Sequence, residues 1–273
     1  MTDPLRLIIS RQGGTGKSRV IQAISDFFQK KNQSRCLRLA SYTGITAKNI
    51  GGSTLHSILN LSAFAQRRGN TKNQPDLVST WQGVDFLFID EFSMIGCGLL
   101  YEISKALSMA KENIAPFGGI NIIFAGDFAQ LPPVGYKRLY SQIFSSNISR
   151  DRSVRSASEK DVIGKLLWLS IRKVVILKEV WRQKIGAGSL DSTTEVEKKN
   201  EFIDLLNRLQ EGRCTNDDYR LLSSHVIGNV APDWTSDEWA DTPIIVSQNE
   251  TKQCRVHSVC KTYRTRVELV LCS

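Results

Sequence analysis

A chain of 273 residues, 41% hydrophobic and 23% charged, can bury one large core or two modest ones, and its composition excludes a disordered or fibrous protein. Its 36 lysines and arginines outnumber 27 acids, and the net charge of +9 points to a polyanionic partner, most simply nucleic acid; a generally basic soluble surface is the alternative. No apolar run is long enough to span a membrane, no secretory signal is read, and six cysteines without a C-x-x-C pair, beside three scattered histidines, read as reduced cytosolic or nuclear thiols rather than a zinc site.

In chain order, the apolar run Leu5–Ile9 reads as a buried strand, and Ser18–Lys31 follows as a helix with Val20, Ile21, Ile24, Phe27 and Phe28 at helical spacing. Cys36–Ala40 is the next strand. The Gln-, Arg-, Asn- and Lys-rich stretch Ala63–Gly83 reads as a surface insertion. Strand Val84–Ile89, helix Leu99–Lys111 and strand Ile120–Ala125 come next, then a polar loop over 144–160, strand Val174–Leu177 and a second loop over 184–198. Phe202–Glu211 is a helix with Gly212 as its stop. The alternation predicts an α/β fold with a doubly wound parallel sheet that binds ligands at the carboxyl ends of its strands.

Three segments carry chemistry. Residues 11–18 read RQGGTGKS. Gly13, Gly14, Thr15, Gly16, Lys17 and Ser18 form the end of a phosphate-binding loop, whose backbone N–H groups cradle phosphate while Lys17 reaches the β- and γ-phosphates and Ser18 helps hold Mg²⁺. The full pattern G-x-x-x-x-G-K-[ST] needs glycine where this chain has Arg11, and a side chain forced into that turn costs about 1–3 kcal/mol. In FLFIDEFSM, residues 86–94, a buried strand delivers Asp90 to hold Mg²⁺ and Glu91 to deprotonate a water; an ordinary loop start is the alternative. In NIIFAGDFAQLPPVG, residues 121–135, Gln130 follows Gly126-Asp127 and precedes a rigid Pro132-Pro133, so its amide could sense a γ-phosphate; a stiffened turn without ligand contact is the alternative.

With SYTGITAKNIGGSTLHSIL (41–59), GDFAQLPPV, GKLLWLSIRKVVILKEVWRQ (164–183) and FIDLLNRLQEGRCTNDDYRLLSSHV (202–226), the set resembles the PIF-type (petite integration frequency) DNA helicases, superfamily-one motors that move 5′ to 3′ on single-stranded DNA. The resemblance runs from about residue 5 to about residue 250. It implies a RecA-like ATPase domain over 1–183, with an insertion at about 60–83, and part of a second RecA-like domain over 184–273. It implies ATP and Mg²⁺ as cofactors, with catalytic roles for Lys17, Glu91, Gln130 and the arginine finger Arg182. Thr43, Asn49, Thr54 and His56 would line the DNA track, contacting phosphate and sugar without reading sequence; for His56, local capping or packing is the alternative. Arg67, Arg68 and Lys72 fall where the family carries a strand-separating subdomain. Single-stranded DNA and DNA junctions are the implied partners, with no membrane association. Repair, recombination or telomere maintenance is the implied setting, in the nucleus or mitochondrion.

Departures from the family temper this reading. The adenine-reading glutamine motif is absent ahead of the loop, and neither of the two late motifs occurs after Arg182. The expectation is a truncated or decayed copy, or an incomplete gene model, of such a motor. A nucleotide- or DNA-binding remnant without unwinding activity is the competing function. A small-molecule kinase is disfavoured by the DFAQLPPV and TAKNIGGSTLHS segments.

Overall fold

Consecutive apolar residues that alternate between two covered faces are what a parallel sheet with helices on both sides requires. The computed structural model describes residues 3–10, 16–61, 74–142, 152–177 and 193–226. Its strands are β1 (Arg6–Ser10), β2 (Leu37–Ser41), β3 (Ser53–Thr54), β4 (Phe86–Asp90), β5 (Asn121–Gly126) and β6 (Lys173–Ile176). They form one sheet in the order β3-β2-β4-β5-β1-β6, with every pairing parallel. The helices are α1 (Lys17–Lys30), α2 (Gly44–Asn49), α3 (Leu55–Ile58), α4 (Gln74–Trp81), α5 (Cys97–Ala110), α6 (Arg152–Leu169), α7 (Thr193–Gln210) and α8 (Asn216–Ser224). The expected α/β architecture is present.

Alternation along the central strands divides the core. Phe88, Ile123, Ala125 and Ile9 meet Ile21 and Phe28 of α1 on one face. Leu87, Ile89, Ile122, Phe124 and Ile8 meet Leu99, Leu100, Ile103 and Leu107 of α5 on the other. Helix α5 has nine buried residues, from Cys97 to Ala110, and its charged residues are confined to Glu102 and Lys105.

The structure corrects the sequence reading in four places. The stretch 63–83 is not all surface insertion: Gln74–Trp81 is helix α4, whose Leu77 and Trp81, four residues apart, share one buried face. The Trp81 indole N–H donates to the Ile58 carbonyl at 3.1 Å. The loop assigned to 144–160 is helical from Arg152, as the first part of α6, whose Trp168 packs on Phe92 and Phe124. The loop assigned to 184–198 is helical from Thr193, so the helix expected at Phe202–Glu211 begins nine residues earlier. The short β3 was not foreseen; it pairs with the end of β2 through Ala40↔Ser53 and Ser41↔Thr54.

The chain divides into two compact units, 1–192 and 193–273. Within the second, Arg208 on α7 grips Asp218 on α8 with its Nε donating to Oδ2 at 2.8 Å and its Nη2 to Oδ1 at 2.5 Å. Thr215 and Asp218 complete a capping box at the start of α8. Together the Arg208 bond and the Thr215 N–H hold the Asp218 carboxyl well below its ordinary range.

Candidate functional site

Parallel strands place their carboxyl ends along one edge, and the register here brings four of them level. Ser10 of β1 pairs with Gly126 of β5, and Ser41 of β2 pairs with Asp90 of β4. The residues just beyond these ends are the ones singled out by sequence. Gly16, at φ 89° and ψ 16°, turns the chain into α1, so Lys17 and Ser18 are the first two helical residues. Lys17 is half-buried and Ser18 exposed. Gly13, Gly14, Thr15 and Arg11 lie outside the described residues, as does Arg182.

Asp90, 8% exposed, ends β4. Its Oδ1 accepts the Glu91 N–H at 3.0 Å, and its carbonyl accepts the Ser41 hydroxyl at 3.2 Å. Glu91 then takes left-handed angles, φ 56° and ψ 48°, and caps a 3₁₀ turn at Phe92–Met94. Asp127, one residue past β5, is buried; its Oδ1 accepts the Ala129 N–H and its carbonyl the Gln130 N–H, both at 3.0 Å. These bonds fold the chain back immediately after the strand and set Gln130 on the same edge.

The electrostatics are lopsided. Burial raises the Asp90 carboxyl above its ordinary value, against the opposing pull of the Glu91 N–H and the Lys17 charge. Burial also raises Glu91, and the like charges of Asp90 and Asp127 add to the rise while Lys17 opposes it. The carboxylates thus share an edge with Lys17 as the opposing charge, a setting that favours further positive charge. Among the described residues no group of three or more His, Cys, Asp or Glu side chains forms a self-contained metal site. A cation that takes one carboxylate and a hydroxyl and fills its shell with phosphate and water fits this donor set, and Mg²⁺ behaves in that way.

An aromatic cluster holds the two acidic segments together, and sequence reasoning missed it. Phe92 packs edge-on to Phe128 at 4.8 Å between centroids, and Trp168 of α6 meets both rings at 5.5 Å. Gly126 makes the approach possible: a Cβ there would lie 2.9 Å from the Phe92 backbone N. The signal available in sequence was the placement of a phenylalanine directly after the acidic residues at each strand end, DEF at 90–92 and GDF at 126–128. Ser41 was likewise not singled out, although it opens the SYTG segment.

The proposed DNA-contacting residues lie on β3, α2 and α3. Thr43 is the N-cap of α2 and its Oγ1 accepts the Thr46 N–H at 3.3 Å; Thr54 is the N-cap of α3 and accepts the Ser57 N–H at 3.3 Å. Both hydroxyls therefore have structural work as caps. Asn49 is the exposed last residue of α2. His56 is exposed and stands edge-on to Tyr42, 5.7 Å between centroids, so the local packing weighed for it is present.

Residues 3–220 match the model of the PIF1-like helicase family. The chain is 29% identical over 208 residues to the ATP-dependent DNA helicase RRM3 of Saccharomyces cerevisiae, covering 75% of this chain and 25% of that protein. It is 29% identical over 238 residues to the ATP-dependent DNA helicase PIF1 of Mus musculus, covering 82% of this chain and 31% of the relative. Among solved structures, the crystal structure of Pif1 helicase from Candida albicans superposes with a TM-score of 0.65 at 25% identity, over 95% of this chain and 51% of that one. The Bacteroides Pif1 helicase, crystallised with ADP-AlF3 and single-stranded DNA, shares the fold with a TM-score of 0.59 at 21% identity. The chain thus spans roughly a quarter to a third of these curated relatives and about half of the solved chain from Candida albicans.

Proposed function

The chain belongs to the PIF1-like helicase family, and from that premise we propose that it binds and hydrolyses ATP in response to single-stranded DNA, as the motor core of a 5′-to-3′ DNA helicase. One observation carries the reading: the carboxyl edge of a single parallel sheet gathers the start of α1 with Lys17 and Ser18, the end of β4 with Asp90 and Glu91, and the Asp127–Gln130 segment after β5. Relatives whose names or titles carry ATP-dependent helicase activity, bound ADP-AlF3 and bound single-stranded DNA support it.

In this reading Lys17 holds the β- and γ-phosphates at the N-terminus of α1, where backbone N–H groups also favour anions. Ser18 and Asp90 would hold Mg²⁺, which when bound neutralises charge on the transferring phosphoryl group. Glu91 orients a water and takes its proton, and Gln130 reports on the γ-phosphate. Arg182, as a finger, would offset charge that develops during transfer. Thr43, Asn49, Thr54 and His56 would touch the DNA backbone, and the net charge of +9 suits that partner. The partition into a first motor domain ending near 183 and part of a second beyond it belongs to the same proposal. So do a preference for DNA junctions, roles in repair, recombination or telomere maintenance, and nuclear or mitochondrial residence.

Fluorescence titration with a labelled ATP analogue tests the nucleotide site. A charged hydrogen bond to phosphate contributes enough that Lys17→Ala should weaken binding by about 10- to 100-fold. Unchanged affinity in that variant would show that the phosphates are held elsewhere. The departure from the loop pattern at Arg11 favours the second reading, a binding remnant with an impaired loop. In the same titration, tighter binding by Arg11→Gly supports that reading and equal binding removes it.

A further inference from the structure

Among the described residues two buried side-chain polar atoms have no hydrogen-bond partner, Arg6 Nε and Ser93 Oγ. Arg6 is otherwise engaged: its Nη1 donates to the Ser170 hydroxyl at 2.9 Å and its guanidinium lies 5.6 Å from the centre of the Phe117 ring. Ser93 has a single polar atom on its side chain, and the residue is only 4% exposed. A buried hydroxyl left unmatched is unfavourable, and an alanine of nearly the same size would avoid the penalty.

The location gives the orphan meaning. Ser93 is the middle residue of the Phe92–Met94 turn, which Glu91 enters with left-handed angles that a non-glycine residue adopts only when its surroundings insist. Two unfavourable features therefore fall within three residues of chain, and that stretch carries the carboxylate placed to activate water. The turn presses on the next strand's exit, with Phe92 against Gly126 and against the Phe128 ring. Phe128 lies between Asp127, whose backbone carbonyl binds the Gln130 N–H, and Ala129.

We infer that Ser93 is a positioning residue for Glu91. Its hydroxyl, unpartnered in this conformation, bonds to the Asp127–Gln130 segment when that segment closes on a γ-phosphate, and the bond carries the Glu91 turn into its working place. A bond made in only one of two conformations contributes its full strength to the choice between them. The inference rests on the nucleotide reading above and extends it to a residue outside the phosphate-binding set.

Thermal melts of the wild type and Ser93→Ala, taken alone, with ADP, and with ADP plus aluminium fluoride as a mimic of the transferring phosphoryl group, test it. The variant should melt at or above the wild type when alone and show the same shift with ADP. It should lose the additional shift given by aluminium fluoride. Its kcat for DNA-stimulated ATP hydrolysis should fall by about 2- to 10-fold, the worth of one net hydrogen bond, with KM unchanged. A variant that melts below the wild type when alone, or that keeps the full aluminium fluoride shift, overturns the inference while leaving the nucleotide reading standing. A wild type that shows no shift with either nucleotide removes both.

Discussion

In the proposed mechanism Glu91 accepts a proton from water, and it does so near two other carboxylates whose charges act on its own. Burial first, and then the charges of Asp90 and Asp127, raise its carboxyl above the ordinary 4.5, while burial raises Asp90 above its ordinary 3.8. An acid raised on folding holds its proton in the native state at a pH where the unfolded chain has already released it. Stability is therefore fullest below the ordinary value and falls as pH rises through the window up to the raised one. Glu91→Gln removes that loss at this position, so its melting temperature relative to the wild type should climb as pH rises from 4.5. In activity the same shift places the acid limb of kcat/KM above 4.5, and Asp90→Asn, by removing a like charge, should lower the Glu91 carboxyl. A wild-type limb at or below 4.5 would contradict the environment described for Glu91.

At the scale of elements, packing decided what composition obscured. Helix α4 carries Gln, Asp, Ser and Thr, and only Leu77 and Trp81 mark its buried face. Two residues over eight make a weak periodic signal, which explains why the segment reads as loop from sequence. The structure gives Trp81 a partner at Ile58 and a place in the core beside α5, and Lys111 at the end of α5 donates to the Trp81 and Val84 carbonyls at 3.2 and 2.9 Å. Trp81→Ala should cost about 3–5 kcal/mol in urea unfolding, as expected for a large side chain removed from a filled core. A cost near zero would show that α4 does not hold the core. Helix α6 was hidden for a related reason: its first turns are polar, and Trp168, which joins it to Phe92 and Phe128, stands near its far end. By contrast β4 and β5 were legible because both faces are covered and every residue from Leu87 to Ile89 and from Ile122 to Ala125 is apolar.

For the molecule as a whole, the order of motifs along the chain and the order of strands in the sheet are independent facts that agree. Lys17, Asp90 and Gln130 are separated by 73 and 40 positions in sequence, yet the sheet order puts β4, β5 and β1 side by side with their carboxyl ends together. That convergence could be anticipated, because βα units with a parallel sheet always place such residues on one edge. What could not be anticipated is contact between segments distant in sequence, such as the aromatic clamp on the Glu91 turn or the Ser41 hydroxyl under Asp90. No periodicity encodes those contacts.

The measurement that bears most directly on the central claim is ATP turnover by the whole chain, with and without single-stranded DNA, for the wild type and for Glu91→Gln. The site described here predicts turnover that rises with DNA in the wild type. Loss of the carboxylate proposed to activate water should lower kcat by about 10²- to 10⁴-fold while nucleotide binding is retained. A wild type that DNA does not stimulate, or a Glu91→Gln variant as fast as the wild type, would contradict it.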